Sequence, residues 1–418
     1  MKKDVLILCQ FFYPEYVSSA TLPTELAEDL VKKGLSVGVL CGYPYEYYSG
    51  KPVLKKEIYK GIEIHRVKYT KKNSKSKFGR LINFFSLFLA FLLRINKIRK
   101  YKCVVVYSNP PIIPIIPYIV SKLWDVKFIF VAYDIYPDIA VKLGAIKNDG
   151  LISKIMNFIN KRVYTNASYI IVLGNEMKDY LIRNNIAKIP GKIKVIPNWY
   201  NGSKLVNRKV VNKKFLDLRK KYSFIVLYSG NMGASQDMDT ILQTMIRFKN
   251  NSKILFIFTG HGRKYQTVKE FIKRNSIRNA KMFGFLTGQD YSDVLNIADV
   301  CLVSLEKCVE GLGVPSKTYG YLAAGKPVIA IMSKDTDIAK VLTKYEAGKN
   351  IIQGEIKEFE TILNELMKNR DLLEIYGSNA RKIFEKYYDR NISTDQYYKL
   401  IINLIQKNSG KGEEYVQK

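Results

Sequence analysis

The chain has 418 residues, two to three times the usual single-domain length, so two domains are expected. Apolar residues make up 47% and charged residues 25%, which leaves material for a full core and excludes wholesale disorder. Lys+Arg number 68 against 37 Asp+Glu, a net charge of +31, and this excess implies a polyanionic neighbour: nucleic acid, an anionic membrane surface or phosphorylated substrates. There are five cysteines and two histidines, with no CxxC pair, which argues against a zinc site. Cys9, Cys41, Cys103 and Cys301 each sit inside an apolar, strand-like run, so they read as buried, reduced thiols of a cytosolic protein. Two lysines precede DVLILCQFF, a run interrupted too early for a signal peptide. The longest apolar run, Leu81 to Leu93, is bounded by Arg80 and Arg94 and falls short of the roughly 20 residues that span a bilayer.

In chain order, short apolar strands alternate with longer amphipathic stretches. Strands are expected at Val5–Phe12, Ser36–Cys41, Ile62–Val67, Cys103–Tyr107, Lys127–Val131, Tyr169–Leu173 and Lys194–Ile196. Helical patterns lie between them, for example Thr21–Lys33 and Leu151–Tyr164. Asn201–Lys214 is polar, basic and without periodicity, and reads as a linker. A second series follows at Phe224–Tyr228, Ile254–Phe258, Lys281–Phe285, Val300–Val303, Val328–Ile331 and Asn350–Ile352. The end is helical at Ile356–Lys368, Leu372–Tyr388 and Gln396–Gln406, before a polar tail from Lys407. Such alternation requires β-α-β crossovers and parallel sheets covered by helices. Two series therefore mean two doubly wound domains facing each other.

In doubly wound folds, ligands sit at the carboxyl ends of strands, and four loops there stand out. The first runs from Phe11 through Pro14 and Glu15 to Ser18, Ser19 and Ala20, where small residues let a backbone approach a ligand; a plain turn with a serine N-cap is the alternative. The second is Tyr228 to Gln236, in which Gly230, Asn231 and Gly233 suit a diphosphate but lack GxGxxG spacing. Asp237 and Asp239 beside it are explained by a helix start, so no metal is expected. The third joins His261 and Gly262 to Arg263 and Lys264, a glycine turn with cations that can neutralise phosphate. The fourth, Glu310 to Val328, mimics a Walker A loop over Gly320–Lys326, yet Pro327 replaces the required Ser/Thr and a strand follows. That leaves a glycine loop and the Ser316–Lys317 pair at a helix start, a diphosphate site.

At these loops the chain resembles the family 4 glycosyltransferases, retaining nucleotide-sugar enzymes of the GT-B fold, over nearly its whole length. The resemblance rests on FFYPE (11–15), YSGNMG (228–233), the GHG turn (260–262), FGFLTGQDY (283–291) with ADVCLVSL (298–305), and PSKTYGYLAAGKPVIA (315–330). It is strongest to the bacterial branch that builds capsule, O-antigen and similar surface polysaccharides. The implied fold is α/β: two Rossmann-like parallel-sheet domains facing across a cleft, with C-terminal helices. Residues 1–200 would form the acceptor-side domain, 201–214 the linker and 215–390 the nucleotide-sugar domain. Residues 391–418 would form a helix packing back on the first domain, then a frayed tail. No cofactor is implied.

The departures are specific. The family usually carries two glutamates separated by seven residues; here those positions fall on Leu312 and Gly320, and Glu310 is the nearest acid for the donor-sugar contact. The usual basic pair after the second loop is missing, so phosphate neutralisation falls on Lys317, Arg263 or Lys264. Ser18–Ser19 stands where paired glycines are usual. The resemblance places Asp134, in Val131–Asp138, toward donor sugar and acceptor, with a helix cap as its alternative role. The expected catalytic set is thus Asp134, Lys317 and Glu310. The expected substrate contacts are Glu15, Ser18, Ser19, Gly230, Asn231, Gly233, His261, Gly262, Arg263, Lys264, Phe285, Leu286, Pro315, Ser316, Thr318 and Tyr319. No motif marks the carboxylate nucleophile that double displacement needs, and the resemblance implies front-face transfer assisted by the leaving diphosphate.

Between Lys71 and Lys102 there are ten Lys/Arg and no acid, enclosing Leu81–Leu93. Asn83, Ser86, Ala90, Arg94 and Lys97 form one narrow stripe of a helix that is otherwise apolar, a profile suited to a lipid interface. The expected partners are a nucleotide-diphosphate sugar, a lipid-linked saccharide and, through 71–102, an anionic membrane. The expected location is cytoplasmic, at the inner face of the plasma membrane. A nucleotide-sugar epimerase or other Rossmann oxidoreductase is the rival, weakened by the absent GxGxxG. A nucleic-acid binder is a third class, and the apolar segment inside the densest basic cluster speaks against it.

Overall fold

The computed structural model describes residues 2–44, 48, 50, 52–72, 76–205 and 209–407. The polar tail, residues 206–208 of the expected linker, and 73–75 of the basic segment therefore lie outside the described residues. The chain divides into two compact units. One comprises Met1–Pro197, Leu312–Val314 and Asn391–Lys418, the other Asn198–Gly311 and Pro315–Arg390.

The first unit holds β1 (Lys3–Leu8), β2 (Val37–Gly42), β3 (Lys56–Tyr59), β4 (Ile62–Val67), β5 (Tyr101–Tyr107), β6 (Lys127–Ala132), β7 (Tyr169–Val172) and β8 (Ile193–Val195). Their order is β3-β4-β2-β1-β5-β6-β7-β8, parallel except for the antiparallel β3–β4 pair. Continuous runs such as VLIL and CVVVY are buried on both faces, as covered parallel strands must be. β3 is a short edge strand that the hydropathy pattern does not reveal, with alternate residues exposed. The helix Arg390–Lys407 packs in this unit: Lys33 pairs with Asp395 at 2.8 Å, and Thr394 Oγ1 donates to Asp29 at 3.1 Å.

The second unit holds β9 (Phe224–Asn231), β10 (Ile254–His261), β11 (Ala280–Phe283), β12 (Val300–Ser304), β13 (Val328–Ile331) and β14 (Gly348–Ile351) in the all-parallel order β11-β10-β9-β12-β13-β14. Both sheets are doubly wound. Strand order reverses between β1 and β5 in the first unit and between β9 and β12 in the second. The loops leaving those strands are where a ligand crevice forms. Cys9, Cys41, Cys103 and Cys301 are buried free thiols, as their apolar surroundings indicate; Cys308 is exposed. Among the described residues, no helix is long and apolar enough to cross a membrane.

Candidate active site

In the second unit, β9 and β10 run three residues further than their apolar segments and stay paired through Gly260↔Gly230 and His261↔Asn231. That close approach requires glycine. A Cβ at Gly260 would lie 2.0 Å from the Gly230 carbonyl oxygen, and Gly230 and Gly260 have φ of 130° and 127°. Gly230 also leaves room for Lys317, whose Cε would lie 3.3 Å from a Cβ there. Lys317, the first residue of the helix Lys317–Ala323, folds back over the loop after β9. Its Nζ donates to Tyr228 Oη, to Gln236 Oε1 at 2.9 Å and to the Asn231 carbonyl at 3.3 Å, and stands 3.9 Å from the Tyr228 ring centroid. All of these acceptors are neutral, and no carboxylate pairs with Lys317 among the described residues. Burial alone pushes its ammonium well below the ordinary lysine range. The switch point of this sheet is thus occupied by a desolvated cation without a counter-ion.

The other expected contacts separate into those around Lys317 and those turned elsewhere. Asn231 and Arg263 are exposed, and His261 stacks on the half-exposed Phe285 with centroids 5.3 Å apart. Gly233 and Gly262 keep this turn narrow: a Cβ at either would crowd Asn231. Leu286 and Ser316 are partly exposed and Pro315 is buried. Lys264 is committed, donating to the Gln236 carbonyl at 2.7 Å and pairing with Glu306. Its charge is therefore already compensated. Thr318 and Tyr319 turn their side chains into the core, Thr318 Oγ1 donating to the Pro315 carbonyl at 2.9 Å and Tyr319 packing on Tyr388.

Glu310 Oε1 accepts from the Ser333 N–H at 2.7 Å and from Gln353 Nε2 at 2.8 Å. This ties the loops after β12, β13 and β14 together. A Cβ at Gly320 would sit 2.9 Å from Tyr291 Oη and 3.5 Å from the Tyr200 ring, so tyrosines fill the space beside this position. Asp237 accepts from the N–H and hydroxyl of Thr240, which accounts for its carboxylate as a helix-start group. Among the described residues no cluster of His, Cys, Asp or Glu could hold a metal. Lys326, the last residue of the Walker-like segment, is half-buried and donates to the carbonyls of Asn296 and Ala298 at 3.0 and 2.9 Å, satisfying the end of the helix Gly288–Ile297.

In the first unit, the loop after β1 is held by Arg66. This fully buried side chain pairs with Glu57 at 2.8 Å and donates to the carbonyls of Tyr13 and Leu54, each at 2.9 Å. β3 thereby acquires a purpose, since it carries Glu57 and also Tyr59, which stacks on Tyr13. Glu15 is buried, and Ser18 and Ser19 open the helix Ser18–Lys32, whose N-cap is Val17 and not a serine. Asp134 follows β6. Its N–H and that of Tyr133 donate to Ser108 Oγ at 3.2 and 3.0 Å, and it bridges to Gly313 as the Ile135 N–H donates to the Leu312 carbonyl at 2.8 Å. It caps no helix, because the next one begins at Asp138 after Pro137. Asp134 lines a small cavity of about 10 Å³ with Ser108, Tyr136, Asn160 and Tyr164, and burial raises its carboxyl to about 6. Ser108 carried no sequence signal, and although the loop Tyr228–Gln236 stood out, the roles of Tyr228 and Gln236 as partners of Lys317 did not, since these contacts join residues about 25 to 90 positions apart.

The helix Lys77–Leu92 is inverted relative to a water-facing helix. Asn83, Leu87 and Phe91 are buried. Asn83 Oδ1 accepts from the Lys72 N–H and its Nδ2 donates to the Lys72 carbonyl, both at 2.9 Å, while Ser86 Oγ accepts from the Thr70 N–H at 3.0 Å. Phe78, Leu81, Phe85, Leu89 and Leu93 are exposed instead.

Comparison with known proteins agrees with this architecture. Residues 212–383 match the family model "Glycosyl transferases group 1", and residues 20–203 match "Glycosyltransferase Family 4". The chain is 24% identical over 347 residues to the probable glycosyltransferase WbjE of Pseudomonas aeruginosa, covering 82% of this chain and 84% of that protein. Its fold is that of WaaG, a glycosyltransferase involved in lipopolysaccharide biosynthesis (TM-score 0.69, 12% identity, 95% and 99% of the two chains covered). It is equally that of Anabaena Alr3699/HepE, solved with UDP and glucose (TM-score 0.69, 14% identity, 95% and 98% covered). The fold is therefore GT-B.

Proposed function

Both halves of the chain match glycosyltransferase models, and from that premise we propose that the protein moves a sugar from a nucleotide-diphosphate donor to a lipid-linked saccharide. The donor is a UDP-linked HexNAc or deoxy-HexNAc, the product a capsule, O-antigen or exopolysaccharide precursor, and the anomeric configuration is retained. The observation that carries the reading is Lys317: a desolvated cation among neutral acceptors, at a sheet switch point, is a site made for an anion. A diphosphate leaving group supplies that anion and gains charge as the glycosidic bond breaks, so Lys317 stabilises the transition state more than the ground state. The UDP bound in HepE and the lipopolysaccharide role of WaaG support the donor and product classes.

In this reading the second unit holds nucleotide and diphosphate and the first presents the acceptor, its hydroxyl oriented by Asp134. Transfer is front-face, with the departing diphosphate taking the acceptor proton. The exposed apolar face of Lys77–Leu92, flanked by Arg80, Arg94, Arg99 and Lys100, rests on an anionic membrane at the inner face of the plasma membrane. A thermal-shift screen tests the donor site. Stabilisation by UDP or GDP is expected, and stabilisation by NAD or an oligonucleotide in their place would overturn the reading.

A further inference from the structure

We infer that the outer face of the helix Leu151–Asn166 is a second lipid-docking surface, placed on the opposite side of that helix from the Asp134 cavity. The inference extends the membrane part of the function proposed above, but its test requires no sugar transfer.

This helix buries Ser153, Ile159, Val163 and Tyr164, and its Asn160 and Tyr164 line the Asp134 cavity, Asn160 donating to the Tyr136 carbonyl. Its other side is apolar and uncovered: Leu151 is 74% exposed, Ile152 42%, Ile155 47% and Phe158 55%. Leu151, Ile155 and Phe158 are spaced i, i+4 and i+7 and form one stripe, where a water-facing helix carries polar residues. Lys154 and Lys161 are exposed beside it, and the Arg162 guanidinium lies 3.2 Å from the Phe158 ring centroid. Residues 151–166 contain no acid.

An apolar stripe edged by Lys154, Lys161 and Arg162, with Asp149 the one exposed acid in the turn that leads into the helix, fits an anionic bilayer, whose headgroups meet the basic groups while its acyl region takes the side chains. A second copy of this chain fits badly, since it would oppose like charges on a molecule of net charge +31. Docking by this face would set the cavity that holds Asp134 one helix thickness from the membrane surface, within reach of the polar head of a lipid-borne acceptor.

The test uses the full chain carrying Phe158→Trp, read against the parent with its two tryptophans. Vesicles of phosphatidylglycerol with phosphatidylcholine should blue-shift the added emission, and brominated lipid should quench it. Leu151→Ser, Ile155→Ser and Phe158→Ser combined should lower vesicle partitioning by about tenfold or more with an unchanged melting curve. An unshifted indole in sedimented protein, or parent-like partitioning of the triple variant, would overturn the inference. So would concentration-dependent self-association, or capture of an acidic protein, that buries the indole without lipid. Indole insertion without any sugar transfer would leave this inference standing and remove the function proposed above.

Discussion

Lys317 and Gln236 meet at the centre of the second sheet, the lysine Nζ donating to Gln236 Oε1 at 2.9 Å, so the loop after β12 is joined to the loop after β9 by a cation and a neutral amide. An enzyme that needed only to hold these loops together would gain more from a carboxylate in place of the glutamine. The neutral partner leaves the charge available to a ligand.

The first prediction follows from that charge. Lys317→Ala should lower turnover on the order of 10² to 10³-fold, the loss typical of one electrostatic donor to a developing anion. Stability should move the other way. A lysine whose folded pKa lies below its unfolded value destabilises the fold at every pH where the unfolded chain holds the proton more tightly. That cost is largest below the folded pKa, shrinks as pH rises beyond it and vanishes above about 10.5. The variant should therefore melt at or above the parent temperature near pH 7. Initial rates and melting curves on the same preparations check both halves.

Lys326 behaves oppositely. Lys326→Ala loses two hydrogen bonds to helix-end carbonyls, a cost of about 1–3 kcal/mol, with turnover nearly unchanged once folded protein is counted. A denaturant titration checks it, and a neutral result would mean that other groups satisfy Asn296 and Ala298. Position next to Pro327 suggests an idle surface lysine; only the return of the helix Gly288–Ile297 beside it shows otherwise.

Asp134 gives a pH signature. Its carboxyl is raised from 3.8 to about 6 by burial, so the folded protein favours the protonated form. The stability this group contributes is full below about 4 and is lost as pH rises through 6. Activity should run the other way, with kcat/KM rising through a limb near pH 6 as the carboxylate forms. Asp134→Asn should abolish the limb and flatten the stability difference over the same interval. A limb that survives in Asp134→Asn belongs to another group.

Much of the architecture was legible in the sequence because covered parallel strands are continuous apolar runs: Ile62–Val67 and Val328–Ile331 coincide with the expected spans. What failed was local in sequence but decided by distant partners. β3 is four half-exposed residues whose reason to exist is to bring Glu57 to Arg66, nine positions away. In Lys77–Leu92 the polar stripe reads as the water face and the rest as a lipid interface, yet Phe91 of that apolar remainder is buried. Asn83 and Ser86 are instead satisfied by the backbone of Thr70 and Lys72, and this turns Phe85 and Leu89 outward. Periodicity identifies a stripe but not which side the rest of the chain will cover. Lys317 was legible from its glycine loop and helix start, and the loop Tyr228–Gln236 from its glycines, whereas the contact of Tyr228 and Gln236 with Lys317 was not.

Transfer should proceed fully in excess EDTA. Asp237, the acid that most resembles a metal ligand, is bound to Thr240, and in the function proposed above Lys317 supplies the positive charge for the diphosphate. Activity lost in EDTA and restored by Mg²⁺ or Mn²⁺ would contradict this assignment.

The central claim is best tested by product analysis. The protein is incubated with a panel of UDP-sugars and a short-chain polyprenyl-diphosphate sugar, and lipid products and released nucleotide are followed by mass spectrometry. One donor should yield a lipid longer by a single sugar, with stoichiometric UDP and retained anomeric configuration by NMR, and Lys317→Ala should suppress that product on the order of 10² to 10³-fold. Equal product from Lys317→Ala, or inversion at the anomeric carbon, would contradict the account.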